Sequence, residues 1–208
     1  MKIFCDLDGT LIDVAPRHYR VYSETVRELQ GNPIDQKTYW DLKRHKSKWS
    51  EILPMSQLSP DLENAFLGRF IRKIEDPEYL KMDTLFPGAI ESIEKLRTRG
   101  ECYLVTLRRN RTNLLEELDR LDITRHFTEV LTGHSENDGS DVKIALIKDK
   151  LNDDQGIIIG DTEADILSGK ELGLKTFAVT SGIRESSFLS ALQPDHIATN
   201  ITHVAELL

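Results

Sequence analysis

Six short, mostly apolar runs separated by helix-patterned stretches set the terms on which this chain can fold. They span Ile3 to Asp6, Cys102 to Thr106, Glu129 to Thr132, Ile157 to Gly160, Thr176 to Thr180 and, more briefly, His196 to Ala198. Near-continuous apolar runs of this length suit strands buried on both faces. From Phe86 onward they alternate with helical periodicity, which predicts an α/β core with a doubly wound parallel sheet and crossover helices. Pro87 opens one predicted helix, with Ile90, Ile93 and Leu96 on one face and Gly100 at its end, and Leu114, Leu118 and Leu121 mark the next.

Residues 14–83 break the alternation. They are helix-patterned throughout and rich in Arg, Lys and Glu, so the expected organisation is a core of 1–13 and 84–208 with a small all-helical domain inserted after the first strand. Pro16 suits the first turn of a helix carrying Tyr19, Tyr22, Val26 and Leu29 on one side, stopped by Gly31 and Pro33. A second helix starts near Ser59-Pro60 and sets Leu62, Phe66, Phe70 and Ile74 at four-residue steps. Such stripes belong to an apolar centre, and Trp40 and Trp49 are expected in the same packing. The connections near Ile12 to Pro16 and Lys81 to Pro87 would act as hinges.

The first run ends in Asp6-Leu-Asp8-Gly9, two carboxylates two residues apart and therefore on the same side of a strand end. They repel unless a cation or a shared proton compensates, and Gly9 lets the backbone turn sharply away. On these residues alone, a divalent metal and a simple turn-capping role are both open. Asp161 and Asp165 lie four apart, so on the opening turn of a helix they would share a side. In an open α/β sheet ligands bind beyond the carboxyl ends of the strands, where Asp6, Thr106 and Asp161 all fall, with Lys143 opening a helix after Gly139-Ser140-Asp141.

Composition narrows the functions. A formal charge of −8 opposes nucleic acid or an anionic membrane surface as the main partner. No run nears the roughly 18 apolar residues of a membrane span, and the first residues lack a signal peptide's pattern, which points to a cytoplasmic protein. Cys5 and Cys102 sit within predicted core strands and read as buried thiols.

Asp6-Leu-Asp-Gly-Thr-Leu after an N-terminal strand, Val105-Thr106, Lys143 and Gly160-Asp161-Thr-Glu-Ala-Asp165 resemble, in order, the four signatures of the haloacid dehalogenase superfamily. The helical insert resembles the cap of the branch containing phosphoglycolate phosphatases and phosphosugar mutases. The resemblance implies Asp6 as nucleophile, forming an aspartyl-phosphate, and Asp8 as general acid and base. It implies Mg²⁺ held by Asp6, the Asp8 backbone carbonyl and Asp161, with Asp165 serving either the metal or the lysine. Thr106, the Leu107 backbone and Lys143 would bind the transferring phosphoryl group. Two departures stand out: Leu107 occupies a place where a small polar residue is common, and Lys143 lacks a proline partner, leaving Lys148 as a competitor. Of Arg108, Arg109 and Arg111, most are expected in solvent and one, Arg108, near an anionic substrate. His18, just past the first hinge and followed by Arg20, resembles a substrate-side histidine of capped relatives. His45, His126, His134, His196 and His203 have no partner constellation in the sequence.

The expected activity is a Mg²⁺-dependent phosphatase acting on a small phosphorylated metabolite, with phosphoglycolate the first compound to try. A phosphosugar mutase or a non-catalytic phosphate-ligand module is the alternative, and oligomeric state is left open.

Overall fold

The computed structural model describes residues 1–135, 139–151 and 155–208. The chain divides into two compact units, Met1–Asp13 with Thr84–Leu208, and Val14–Asp83.

The first unit is built on six parallel strands: β1 (Lys2–Cys5), then, past the insert, β4 (Glu101–Thr106), β5 (Glu129–Thr132), β6 (Gly156–Gly160), β7 (Lys175–Val179) and β8 (His196–Ala198). Their order is β5-β4-β1-β6-β7-β8. The chain winds outward from β1 to one edge and then from β6 to the other, so the direction of winding reverses beside β1, where open α/β sheets bind ligands. The short β2 (Ile12–Asp13) and β3 (Thr84–Leu85) form an antiparallel ribbon at the two points where the insert leaves and rejoins this unit.

Alternation along the strands feeds two buried faces. Phe4, Tyr103, Val105, Leu131 and Ile158 form one apolar cluster with Ile147 of α8 (Ser140–Leu151) and Leu174. Ile3, Leu104, Ile157 and Ile159 are equally buried and alternate with them. Cys5 and Cys102 are buried free thiols, and burial raises both thiols above their ordinary range, Cys102 to about 11. The remaining helices of this unit are α6 (Ala89–Arg97), α7 (Arg111–Arg120), α9 (Glu163–Glu171), α10 (Ser186–Ala191) and α11 (Ile201–Leu207).

The second unit holds α1 (Ala15–Glu28), α2 (Gln36–Arg44), α3 (Trp49–Met55), α4 (Glu63–Ile74) and α5 (Pro77–Leu80). Val21, Tyr22, Val26, Tyr39, Ile52, Leu53, Phe66 and Phe70 form its centre, with Trp40 and Trp49 packed against it. The Tyr22 and Tyr39 rings stack at 4.2 Å. Among the described residues no helix is long and apolar enough to cross a membrane.

Local starts and stops differ from the expected ones in instructive ways. The helix expected at Pro87 begins at Ala89, because Gly88 takes a left-handed conformation (φ 76°) that sets the entry angle. The turn after α1 is carried by Gln30 (φ 67°), and Gly31 has a different duty: a Cβ there would lie 2.7 Å from Leu58. Ser59-Pro60 opens a single 3₁₀ turn, Pro60–Leu62, and α4 follows it. Lys143 is the fourth residue of α8, one turn inside the helix it was expected to open.

Candidate active site

β1 ends at Cys5, level with Leu104 on one neighbour and Ile159 on the other, and the Asp6 N–H continues the ladder to the Ile159 carbonyl at 2.9 Å. Asp6 therefore leaves the sheet at the winding reversal, with Thr106 closing β4 and Asp161 following β6. Thr106 and Asp161 are buried, as is Asp6. Gly9 (φ 81°) then turns the chain, and the Leu7 carbonyl accepts from the N–H groups of Leu11 and Ile12 to close a tight loop.

Lys143 meets this strand end from α8. Its ammonium, 2 % exposed, donates to Asp6 Oδ1 at 2.6 Å and to Asp165 Oδ1 at 2.5 Å. Lys148, the alternative lysine, is exposed one turn further along the same helix. Asp165 reaches the lysine because it also caps its own helix: its Oδ2 accepts from the Thr162 N–H at 3.1 Å and the Thr162 hydroxyl at 2.8 Å. Asp161 accepts from the Thr10 hydroxyl and the Ile183 N–H.

One carboxylate oxygen from each of Asp6, Asp161 and Asp165 lies within 4.8 Å of the others. With all three carboxylates ionised, the one ammonium would leave two negative charges uncompensated in a water-poor site. Burial pushes the Asp6 carboxyl up to about 7, against the pull of Lys143, with Asp165 and Asp8 adding to the rise. Burial, then the charges of Asp6 and Asp165, hold Asp161 well above the ordinary range. Burial alone would lower Lys143; the charges of Asp165 and Asp6 reverse this and raise it. A cluster of hard oxygen donors whose ionised form lacks positive charge fits a divalent cation, and Mg²⁺ suits such a donor set.

Asp8 faces elsewhere. Arg108, directly after β4, grips it through two parallel bonds, Nε to Oδ2 and Nη2 to Oδ1, each 2.6 Å. The Arg108 side chain is 4 % exposed and lies 3.3 Å from the buried Glu117 of α7, whereas Arg109 and Arg111 are exposed, as expected of most of this cluster. Arg109 is exposed and donates to His134 at 3.0 Å, a partner for that histidine that sequence alone did not offer. Arg111 donates to the Val130 carbonyl at 3.2 Å. Leu107 is half-buried, packed where a Cβ on Gly139 would sit 2.2 Å from its Cδ1.

His18 lies in the second unit, half-buried, with the Trp40 and Phe70 rings about it at 6.0 and 6.1 Å. Arg20 is exposed and pairs with Glu24.

The model of one family, haloacid dehalogenase-like hydrolase, matches residues 3–179. The chain belongs to that family. Among relatives of this hydrolase, the phosphoglycolate phosphatase of Synechococcus elongatus is 27 % identical over 194 residues, covering 93 % of this chain and 90 % of its own. The pyrophosphatase PpaX of Oceanobacillus iheyensis is 22 % identical over 218 residues, covering 99 % and 95 %. A haloacid dehalogenase-like hydrolase structure from Streptococcus pneumoniae superposes with a TM-score of 0.79 at 27 % identity, covering 99 % of this chain and 97 % of that one.

Beyond the predicted site residues of this family member, Thr10 contacts Asp161, Glu117 lies beside Arg108, and Glu163 pairs with Arg184; the last three, Glu117, Glu163 and Arg184, had no role in the sequence reading. Glu117 had a readable signal, since it stands between Leu114, Leu118 and Leu121 on the buried stripe of α7. Glu163 is buried at the start of α9, inside the last signature itself.

Proposed function

We propose that this hydrolase is a phosphatase that removes phosphate from a small phosphomonoester, phosphoglycolate first among those to try, through an aspartyl-phosphate on Asp6. The observation that carries the reading is the buried contact of Asp6 with Lys143 beside two further carboxylates, while a second acid two residues on, Asp8, is held apart by Arg108.

Mg²⁺, held by Asp6, the Asp8 carbonyl and Asp161, would supply charge for the phosphoryl oxygens and the carboxylate cluster. Asp6 attacks phosphorus through a carboxylate oxygen as the ester P–O bond breaks. Lys143 holds the other Asp6 oxygen, so the nucleophile has a fixed aim, and with Thr106 and the Leu107 N–H it offers donors to the transferring group. Asp165 we assign to the lysine: its two oxygens accept from Lys143 and Thr162, which orients the ammonium. Asp8 gives a proton to the leaving alcohol and then takes one from the water that attacks the phospho-enzyme. For that, Arg108 must release it as substrate arrives, and the guanidinium is then available to an anionic group of the substrate. We assign residues 14–83 the role of cap, the part that distinguishes one phosphomonoester from another, with His18 as its first candidate contact.

Phosphate release from a panel of phosphomonoesters, with Mg²⁺ and with EDTA, tests the reading. Release that requires Mg²⁺ and is lost in Asp6→Asn is expected. Absence of release from every compound overturns it, and transfer of phosphate to a second sugar hydroxyl without release makes the protein a mutase.

A further inference from the structure

Asp161 is held by a construction that extends well past the carboxylate cluster. Its side chain is fully buried between two backbone segments: a Cβ added at Gly9 would lie 2.2 Å from Oδ2, and one at Gly182 would lie 2.0 Å from the same oxygen. Neither segment can carry a side chain here, so main chain presses on the carboxylate from two directions. The segments are tied to each other by the Ser181 hydroxyl, which donates to the Gly9 carbonyl at 2.9 Å.

The loop 181–184 is also fastened to the segment that carries Asp161, at two points. The Ile183 N–H donates to Asp161 Oδ2. The next residue, Arg184, forks onto Glu163, two residues after Asp161, with Nε to Oε2 at 2.8 Å and Nη2 to Oε1 at 3.0 Å. Glu163 is 6 % exposed and Arg184 sits 5.6 Å from the Phe188 ring centroid, so the fork is largely shielded. Two parallel charge-assisted bonds fix both the distance and the plane of the partners, which a single contact would not. The consequence lies one residue back: with Arg184 anchored, the Ile183 N–H has little freedom to leave Asp161, and the carboxylate cannot rotate.

We propose that Glu163 and Arg184 are positioning residues for Asp161, fixing the orientation in which it meets a divalent cation. The inference rests on the metal-dependent reading of the site given above. Outer groups that orient a ligand set its affinity: their loss costs about 10-fold to 100-fold in metal binding in comparable sites. The effect of the fork is on geometry and passes through the Ile183 N–H.

The test is Mg²⁺ binding to the full, metal-free chain without substrate, by titration calorimetry and by the Mg²⁺ concentration that half-saturates the rise in melting temperature. Glu163→Gln and Arg184→Met are expected to weaken Mg²⁺ about 10-fold or more, in addition to any fall in the EDTA melting temperature that breaking a buried pair brings. Arg184→Lys, which keeps the charge and loses the fork, is expected to fall between. Ser181→Ala, which loosens the same loop from its other end, supplies the reading if Arg184→Met does not fold. Unchanged Mg²⁺ affinity in folded variants, or a fall in EDTA melting temperature with unchanged affinity, overturns the proposal and leaves the fork a structural tie. Phosphate release by the unmutated chain, run on the same preparation, separates the two failures. Turnover with unchanged Mg²⁺ affinities sinks this inference alone, whereas no turnover sinks the phosphatase reading.

Discussion

Each unit of the molecule buries a cation among carboxylates, and the two solutions are opposite in balance. In the second unit the Arg17 guanidinium, 1 % exposed, meets Asp83, 0 % exposed, at 2.9 to 3.0 Å through Nε, and Nη1 donates to the Ile74 carbonyl at 2.6 Å. One charge answers one charge, and a second nitrogen of the guanidinium finds a carbonyl. In the first unit Lys143 meets Asp6 and Asp165, Asp161 lies within 4.8 Å of both acids, and the carboxylates outnumber the lysine. A balanced buried pair has no use for a ligand; it ties residues 66 apart, near the two ends of the insert, and so specifies where that unit closes. An unbalanced one is incomplete until positive charge arrives, which is the physical mark of a site.

The sharpest way to break this contrast is to remove each cation in turn. Lys143→Met takes away the positive charge that aims Asp6, and phosphate release is expected to fall by about 10³-fold, the range seen when one preorganised charge is lost from an acyl- or phosphoryl-transfer site. Arg17→Met leaves Asp83 buried without this cation, and the expected outcome is a loss of about 3 to 5 kcal/mol in the stability of the second unit. Both tryptophans, Trp40 and Trp49, lie in that unit, so denaturant unfolding followed by tryptophan fluorescence reports it directly. Replacing the pair together, Arg17→Met with Asp83→Leu, should recover most of that loss. If the double replacement is as unstable as the single one, the pair is more than balanced charge.

How much of this was legible beforehand follows from how local each signal is. The strands and the stripes Tyr19-Tyr22-Val26-Leu29 and Leu62-Phe66-Phe70-Ile74 are periodicities within a single element, and they stand in the sheet and in the second unit's apolar centre. Asp6, Lys143, Asp161 and Asp165 were found through signatures, and the fold brings them together because Asp6 and Asp161 follow strand ends at the winding reversal, Asp165 lies on the first turn of α9, and α8 carries Lys143 to them. The Arg17–Asp83 pair and the Arg184–Glu163 fork were not legible, since neither partner has a local pattern and only the folded path makes them neighbours. Arg108 was singled out from its cluster, but its partners were hidden for the same reason: Asp8 lies a hundred residues earlier, and Glu117 has no local pattern that points to Arg108.

A smaller effect sharpens the comparison through pH. Asp6 is an acid whose carboxyl moves from an ordinary value of 3.8 to about 7 in the folded chain. Without metal the folded state therefore keeps a proton that the unfolded chain releases. Stability from this group is greatest below about 4, is lost as pH rises from there to about 7, and is lost no further above it. Asp161 acts with the same sign. The melting temperature in EDTA is expected to fall across that window more steeply in the unmutated chain than in Asp6→Asn. Mg²⁺ should stabilise most at the upper end, where the carboxylates it would meet are ionised. Equal slopes in the two proteins would show that Asp6 does not feel the imbalance.

The smallest expected effect belongs to the lysine that the sequence offered as a competitor to Lys143. Lys148 lies on the same helix, carries the same charge and is exposed, so its field is spread through water and screened by salt. Lys148→Ala should leave phosphate release within about twofold and stability within about 0.5 kcal/mol, as surface substitutions away from special features do. The contrast with Lys143→Met isolates burial as the cause, because helix, residue type and sequence neighbourhood are nearly shared. A large loss in Lys148→Ala would mean that the field near α8 reaches the site through solvent. In that case counting only the buried charges, the basis on which the two units were distinguished, would miss part of the balance.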